Sequence, residues 1–363
     1  MNNLRKLHQC YWLLLAAIGC SSSSSPAASP GPNSGGGGSG GGSGGESCSV
    51  AKLPPDNIVN SITQSFSVDS QGIVFGTLPS GSAAANATAI IGAATFGGIV
   101  TTLASIPGFP GSLISDANHV YFSFVGTQGG IYSLPRTGSG ASPAPVFLET
   151  NNTRVYTFTQ DANNIYASVT DRTNTPGTGS IVTIAKATNA TTTVYSAPSQ
   201  QTVTTLFVDG STLWWSETAS DVLTTGPTII RSAQTGATLA PALFATIAPP
   251  VAIMQMVEFN DNVAFVYFNE NPTSSGGLAL SQGTYTVSRG GTPTLVDSTG
   301  AFPIAIGPGG VVYYDSFAGI SKFTLGLAST PIPTTVAKVG TYGLAVDSAG
   351  TLYYATMNCI DKL

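Results

Sequence analysis

One pattern of apolar and polar positions recurs along this chain. It runs apolar, Asp, three turn residues, aliphatic, then one or two aromatics. It reads Val68-Asp69 to Ile73-Val74-Phe75, Ser115-Asp116 to Val120-Tyr121-Phe122, Gln160-Asp161 to Ile165-Tyr166, and Val208-Asp209 to Leu213-Trp214-Trp215. Weaker copies start at Phe259-Asn260 and at Ile306-Gly307, the latter reaching Val312-Tyr313-Tyr314, and the last runs from Val346-Asp347 to Leu352-Tyr353-Tyr354. The anchors 69, 116, 161, 209, 260, 307 and 347 lie 47, 45, 48, 51, 47 and 40 residues apart. Spacings of roughly 40–50 residues are those of four-stranded propeller blades. Further alternating segments follow each aromatic, such as Gly130–Leu134, Ser180–Ile184, Thr284–Val287 and Pro145–Leu148. Each unit therefore reads strand, tight turn, strand, loop, strand, turn, strand, and no stretch sustains a helical period.

The pattern predicts an all-β chain, a seven-bladed β-propeller over about residues 48–363, with six blades as the runner-up because the fifth and sixth anchors lack Asp. An Asp opening a tight turn can accept backbone N–H bonds two residues on. Adjacent apolar residues point to opposite faces of a strand. A propeller blade packs both faces on neighbours, so aromatic doublets are useful there. After Tyr354 only nine residues remain, enough for one more strand but not two. The last blade then lacks its outer strand, and Ser49-Val50-Ala51-Lys52-Leu53 can supply it. That would bring Cys48 and Cys359 together at the join as a disulfide, as an even cysteine pair in an exported protein suggests.

The doublets Trp214-Trp215-Ser216-Glu217, Tyr313-Tyr314-Asp315-Ser316 and Tyr353-Tyr354-Ala355-Thr356 resemble propellers of the YWTD type and, more loosely, the NHL type. The Asp that ends the family tetrad is mostly absent, and YWTD propellers have six blades. Members of such families mostly bind proteins and a minority are enzymes, so the resemblance bears on fold far more than on function.

The N-terminus gives an address. Arg5 and Lys6 precede the apolar run Tyr11–Ile18, which is too short to span a bilayer as a helix. A basic start, a short apolar run and small residues form a signal peptide over 1–19. Ala17-Ile18-Gly19-Cys20 resembles a bacterial lipobox, with Ala17 where Leu is commoner. The resemblance implies cleavage before Cys20, its lipidation with acyl chains such as palmitate, and a lipoprotein anchored in the cell envelope. Ser21 beside Cys20 resembles lipoproteins sent to the outer membrane. Residues 20–47 then form a Ser/Gly-rich tether that cannot bury a core. Cys10 leaves with the signal.

Removing Arg5 and Lys6 takes the formal charge from −5 to −7, which argues against nucleic acid and against electrostatic binding to anionic lipid. Membrane contact is expected through the lipid alone. Only 8% of residues are charged, so the polar surface is Ser, Thr, Asn and Gly.

Candidate chemistry is sparse. His119 is the one histidine outside the signal and sits in the Asp116 turn, so neither a histidine-rich metal site nor paired acid–base work is expected. No Gly-x-Ser-x-Gly elbow occurs. Asn260-Asp261-Asn262 with Glu258 is the better calcium candidate but lacks the other ligands of a calcium loop. No catalytic residue, metal or cofactor is assigned.

Function is therefore expected in loops. The longest segments between the second and third strands are Ser168–Gly179, Ser216–Gly226 and Phe268–Gly283, on consecutive blades. Variable loops on a rigid scaffold are where binding usually sits. They carry Asp171, Arg172, Glu217, Asp221 and Glu270, and Asn151, Asn152 and Arg154 lie in an adjoining blade connection on the same rim. The reading is a monomeric, non-enzymatic binding module for a protein or glycan of the envelope or its surroundings, with a propeller lyase or hydrolase as the alternative.

Overall fold

The computed structural model describes residues 48–52, 57–59, 66–79, 88–125, 129–138, 140–150, 152–171, 173, 177–198, 200–219, 227–236, 238–248, 253–267, 283–316, 318–326, 332–339, 341–356 and 359–363. Apart from Cys48, all belong to the unit Ser49–Leu363. The signal peptide, Cys20 and the tether lie outside the described residues.

The strands form seven antiparallel sheets, and the chain is a seven-bladed propeller. Blade 1 spans Asn57–Pro107, blade 2 Phe109–Leu148, blade 3 Thr153–Ser196, blade 4 Gln201–Ile247, blade 5 Ile253–Asp297 and blade 6 Gly300–Ala337. In blades 2 to 6 the four strands pair in sequence order. In blade 1 two short strands, Asn57–Val59 and Phe66–Asp69, share the inner place and both pair with Gly72–Pro79. The first strand of every blade touches the first strand of the next, right around the ring. Among the described residues the one helical turn is Pro308–Gly310.

Blade 7 is assembled from both chain ends. Gly343–Val346, Leu352–Ala355 and Cys359–Lys362 supply three strands, and Ala51–Lys52 pairs antiparallel on the outside. The register sets Ala51 against Ile360 and Lys52 against Cys359. Val50 N–H donates to the Ile360 carbonyl at 3.1 Å, and Lys362 N–H to Ser49 Oγ at 3.0 Å. Cys48 and Cys359 are disulfide-bonded across this join.

Two irregularities recur from blade to blade. The inner strand is bulged in blades 2 to 6, between Pro110 and Leu113, Val155 and Phe158, Val203 and Thr205, Ile253 and Gln255, and Ala301 and Ile304. A second bulge separates the third and fourth strands, as between Ile230 and Arg231. A bulge bends its strand and raises the local twist, which fans the blade outward from a crowded centre.

The core lies between blades. Tyr166 and Ile181 of blade 3 pack with Leu206, Leu213 and Trp215 of blade 4. Phe244 and Trp214 of blade 4 pack with Ile253, Phe265 and Tyr285 of blade 5. Both faces of each middle strand are thus buried. That is why the doublet Trp214-Trp215 sends one ring to blade 5 and the other to blade 3.

Where the anchor Asp is missing, backbone geometry makes the turn. Asn260 and Asp261 take positive φ of 51° and 57° as the two central residues between paired Phe259 and Asn262, the signature of a type I′ hairpin turn. Blade 6 uses Gly309 and Gly310 at φ of 71° and 74°. At Gly310 a Cβ would also lie 2.4 Å from the Phe259 ring of blade 5, so the position admits only glycine.

The closed loop between the paired cysteines is long, so chain-entropy reasoning gives about 5–6 kcal/mol, of which native disulfides commonly deliver about 2–5. Cys359→Ser is expected to lower the unfolding free energy by a few kcal/mol in denaturant titration. Reductant should destabilise the wild type to the same degree and leave the Cys48→Ser/Cys359→Ser double variant unchanged.

Candidate functional site

The repeated anchor is a small polar device. Asp69, Asp116, Asp161 and Asp347 each accept the backbone N–H two residues on, at 2.8, 2.9, 2.8 and 3.0 Å. In Asp161 and Asp347 the other carboxylate oxygen takes the tyrosine phenol of the next strand. Tyr166 donates to Asp161 Oδ2 at 2.8 Å and Tyr353 to Asp347 Oδ2 at 3.3 Å. Burial tends to raise the Asp161 carboxyl, but the Tyr166 phenol and the Asn163 and Asn164 N–H groups hold it below the ordinary range. Burial first, then Asp161, pushes the Tyr166 phenol up to about 12.

These anchors also stitch blades together. Turns after the first and third strands emerge on one rim, so the residue after the third strand of one blade meets the anchor of the blade before it. Arg136 of blade 2 grips Asp69 of blade 1, Nη2 to Oδ1 at 2.8 Å and Nη1 to Oδ2, while Ser115 Oγ donates to Asp69 Oδ2 at 2.5 Å. Lys186 of blade 3 reaches Asp116 of blade 2 at 3.1 Å and lies over the Tyr121 ring. Burial tends to raise Asp116, and the N–H groups of Asn118 and His119 together with Lys186 outweigh it and lower its pKa. His119 is not in the turn itself but opens the strand His119–Val125, where it is exposed and its backbone N–H bonds Asp116. Sequence reasoning found the anchors and missed Arg136 and Lys186. Their shared place, one residue past the third strand of consecutive repeats, was the available signal.

The opposite rim carries the second-to-third-strand loops and the blade connections. Asp171 ends the strand Asn164–Asp171, is exposed, and accepts Thr173 N–H at 2.8 Å and Thr173 Oγ1 at 2.5 Å, which lowers its pKa. The register pairs it with Thr153, and pairs Arg154 with Thr170. Asp171, Asn152 and Arg154 therefore share one end of blade 3. Arg154 Nη1 bonds Glu149 Oε2 at 2.8 Å, and Asn152 N–H bonds Thr150 Oγ1 at 3.3 Å. Asn151, Arg172, Asp221 and Glu270 lie outside the described residues.

Glu217 is a correction. It is not on a loop but in the strand Thr212–Ala219, and its exposure is 0%. Its Oε1 accepts Tyr195 OH at 2.6 Å, Trp215 Nε1 at 2.7 Å and Arg231 Nε at 3.0 Å. The strand keeps its two-residue period past Ser216, which puts Glu217 on the buried face of Trp215. The loop bounds shrink likewise, since strands reach Asp171, begin again at Thr178, and continue to Ala219. The Asn260 turn is also committed. Asp261 pairs with Arg289 at 2.7 Å, Asn262 Nδ2 bonds the Asn260 carbonyl, and Glu258 Oε1 accepts Asp261 N–H.

Asp315 is the group sequence reasoning passed over. By register it stands where blades 3 and 4 carry buried Ser168 and Ser216. Burial pushes its carboxyl up to about 7, against the lowering effect of the Thr341 and Ser316 N–H groups, and Oδ1 has no protein partner.

No family model matches the chain, and no curated protein matches its sequence. Its fold is similar to the WD40 propeller domain of Doa1, at TM-score 0.54 and 12% identity over 87% of this chain and 95% of that one. It is similar to a streptogramin B lyase, at TM-score 0.55 and 15% identity over 84% and 94%. It is also similar to a Mycobacterium tuberculosis puromycin-hydrolysing peptidase, at TM-score 0.55 and 12% identity, covering 86% of this chain and 54% of that one. Likenesses at such identities show the propeller fold alone.

Two substitutions test these assignments. An acid whose pKa is raised on folding stabilises below its unfolded value near 4, and that contribution is lost as pH rises through about 7. Asp315→Asn should therefore flatten the fall in stability between about pH 4 and 8, and stabilise the protein at pH 8. Glu217→Ala leaves the buried Trp215 indole and the half-buried Arg231 and Tyr195 without their acceptor and should cost about 3 kcal/mol or more by denaturant titration.

Proposed function

We propose that the chain is an exported lipoprotein, held at the outer membrane by lipid on Cys20, whose propeller is a non-enzymatic binding module for a protein or glycan partner of the envelope. The observation that carries this reading is where the charge goes. In a chain with so few ionisable groups, Asp69–Arg136, Asp116–Lys186 and Glu217–Arg231 are spent within and between blades. Such pairs make a stiff ring rather than a reactive centre. The disulfide across the join fits an oxidising compartment. Asp171, Asn152 and Arg154 gather at one end of blade 3 on the rim of the longer loops, and with Arg172 of the same loop they form the proposed contact region.

A second reading, a propeller lyase or hydrolase, is favoured by Asp315 alone, since a carboxyl near pKa 7 suits general acid–base work. It stands if turnover found on envelope polymers disappears in Asp315→Asn, and falls if that variant turns over normally.

Pull-down from native envelope is the direct test of the binding reading. The variant Asp171→Ala should capture the partner about tenfold less well while melting as the wild type does, because exposed substitutions usually change stability within about 0.5 kcal/mol. Undiminished capture would remove this rim from the interface. Labelled palmitate should enter the wild type and not Cys20→Ala, and equal labelling would refute the anchor.

A further inference from the structure

We propose that the anchor-turn rim of blades 6, 7 and 1 docks on a lipid bilayer, with the turn Phe96-Gly97-Gly98-Ile99 at the centre of the contact. The proposal rests on the anchored reading above, and it adds an apolar surface contact to the lipid on Cys20.

The turn follows the third strand of blade 1, between Thr88–Ala94 and Val100–Pro107. At that place blades 2, 3 and 5 carry Arg136, Lys186 and Arg289, each paired with a carboxylate. Blade 1 has no charge there. It presents Phe96 and Ile99 instead, 38% and 68% exposed. The turn that carries them is closed by its own bonds. Thr95 N–H donates to the Ile99 carbonyl and Gly98 N–H to the Thr95 carbonyl, both at 3.0 Å, and Ile99 N–H donates to Thr95 Oγ1 at 3.1 Å. The neighbouring blades continue the pattern on the same rim. Leu363, one residue past the third strand of blade 7, is exposed and bonded through its N–H to the Leu352 carbonyl. Ile332, just before the fourth strand of blade 6, is 83% exposed. Three consecutive blades thus leave large aliphatic or aromatic groups in solvent where blades 2, 3 and 5 place ion pairs.

The path of the chain says what covers them. The N-terminal segment enters the fold against this turn: a Cβ on Gly98, at φ 87°, would lie 2.6 Å from the Val50 carbonyl oxygen. Ser49 N–H bonds Asp361 Oδ1 at 2.6 Å, and the Phe96 ring lies 5.3 Å from that of Tyr353 in blade 7. From here 27 residues, Ser21 to Ser47, lead back to Cys20. A Gly-rich sequence of that length has an r.m.s. span of about 30 Å. Lipid on Cys20 therefore holds the entry point near the bilayer at high effective concentration, so that a weak surface contact suffices. Lys362, the cross-strand partner of Tyr353, is exposed beside the turn. A lysine there can lay its stem on apolar surface and keep its ammonium among the headgroups. The chain as a whole is acidic, so the contact is apolar and needs no anionic lipid. Docking would turn the opposite rim, with Asp171 and Arg154, toward the partner.

Brominated-lipid quenching reads the contact. Residues 20–363, with Cys20→Ala and an N-terminal histidine tag, would be held on brominated phosphatidylcholine vesicles by nickel-chelating lipid. That tethering makes the result independent of acylation in the cell. Trp214 and Trp215 are buried and are the only tryptophans after the signal, so they supply a shielded background. Ile99→Trp adds a reporter to the docking rim. Leu148→Trp adds one at the far-rim end of blade 2, where Leu148 is also exposed. The emission added by Ile99→Trp should fall by about half, since interfacial residues sit ~5–10 Å into the headgroup and acyl boundary. The emission added by Leu148→Trp should not fall. Without the tag, Ile99→Ser/Ile332→Ser should lower vesicle binding about tenfold, the worth of partly burying two aliphatic side chains. Equal quenching of both reporters, or none in Ile99→Trp on vesicle-held protein, would overturn the proposal. A dimer in solution that Ile99→Ser dissolves would also overturn it and give the face to a second copy. Quenching of Ile99→Trp in a protein whose Cys20 takes no palmitate would remove the anchor and leave the docking face standing.

Discussion

The whole molecule depends on closing the ring. A single blade has no core of its own, because its apolar side chains point to both faces and each face is covered only by a neighbour. An open row of seven blades would leave two such faces in water. Closure removes both, and the first strands touch in an unbroken circuit. The last blade makes closure cooperative with the whole chain, because its outer strand is Ala51–Lys52 and its other three come from residues 343–362. The ring cannot complete until the N-terminal segment finds the C-terminal one, and the Cys48–Cys359 bond fastens that meeting.

Within the ring, charge is used as fastening. Tyr and Arg donors converge on anchor carboxylates that are themselves held by backbone N–H groups, and Tyr195, Trp215 and Arg231 converge on Glu217. Charge-assisted bonds of this kind are stronger than neutral ones, and partial burial protects them from salt. The stitched series from Asp69–Arg136 to Asp116–Lys186 has no exact counterpart further round. Blade 4 departs from it most, with Trp214 in place of tyrosine and its buried indole N–H without a protein partner.

Much of this was legible in the residues because repetition amplifies a weak signal. The spacing of seven anchors, the turn chemistry of Asp, and the missing outer strand of the last blade all follow from local rules applied seven times. Site residues had no such amplification. Glu217 lies next to a long loop in sequence, and nothing local reveals that its strand continues two residues further on the buried side of Trp215. Asp171, Asn152 and Arg154 share one end of blade 3, since antiparallel topology alone brings the end of one strand beside the start of its partner.

The sequence by itself determined the repeat, the strand order within a blade and the closure, because two-residue periodicity and turn residues act over a few neighbours, and the structure settled seven blades over six. Only the tertiary structure decided which groups meet between blades. Arg136 finds Asp69, and Tyr195 finds Glu217, across 67 and 22 residues of chain. The recurrent bulges leave no compositional mark, and these meetings exist only once neighbouring blades are packed face to face.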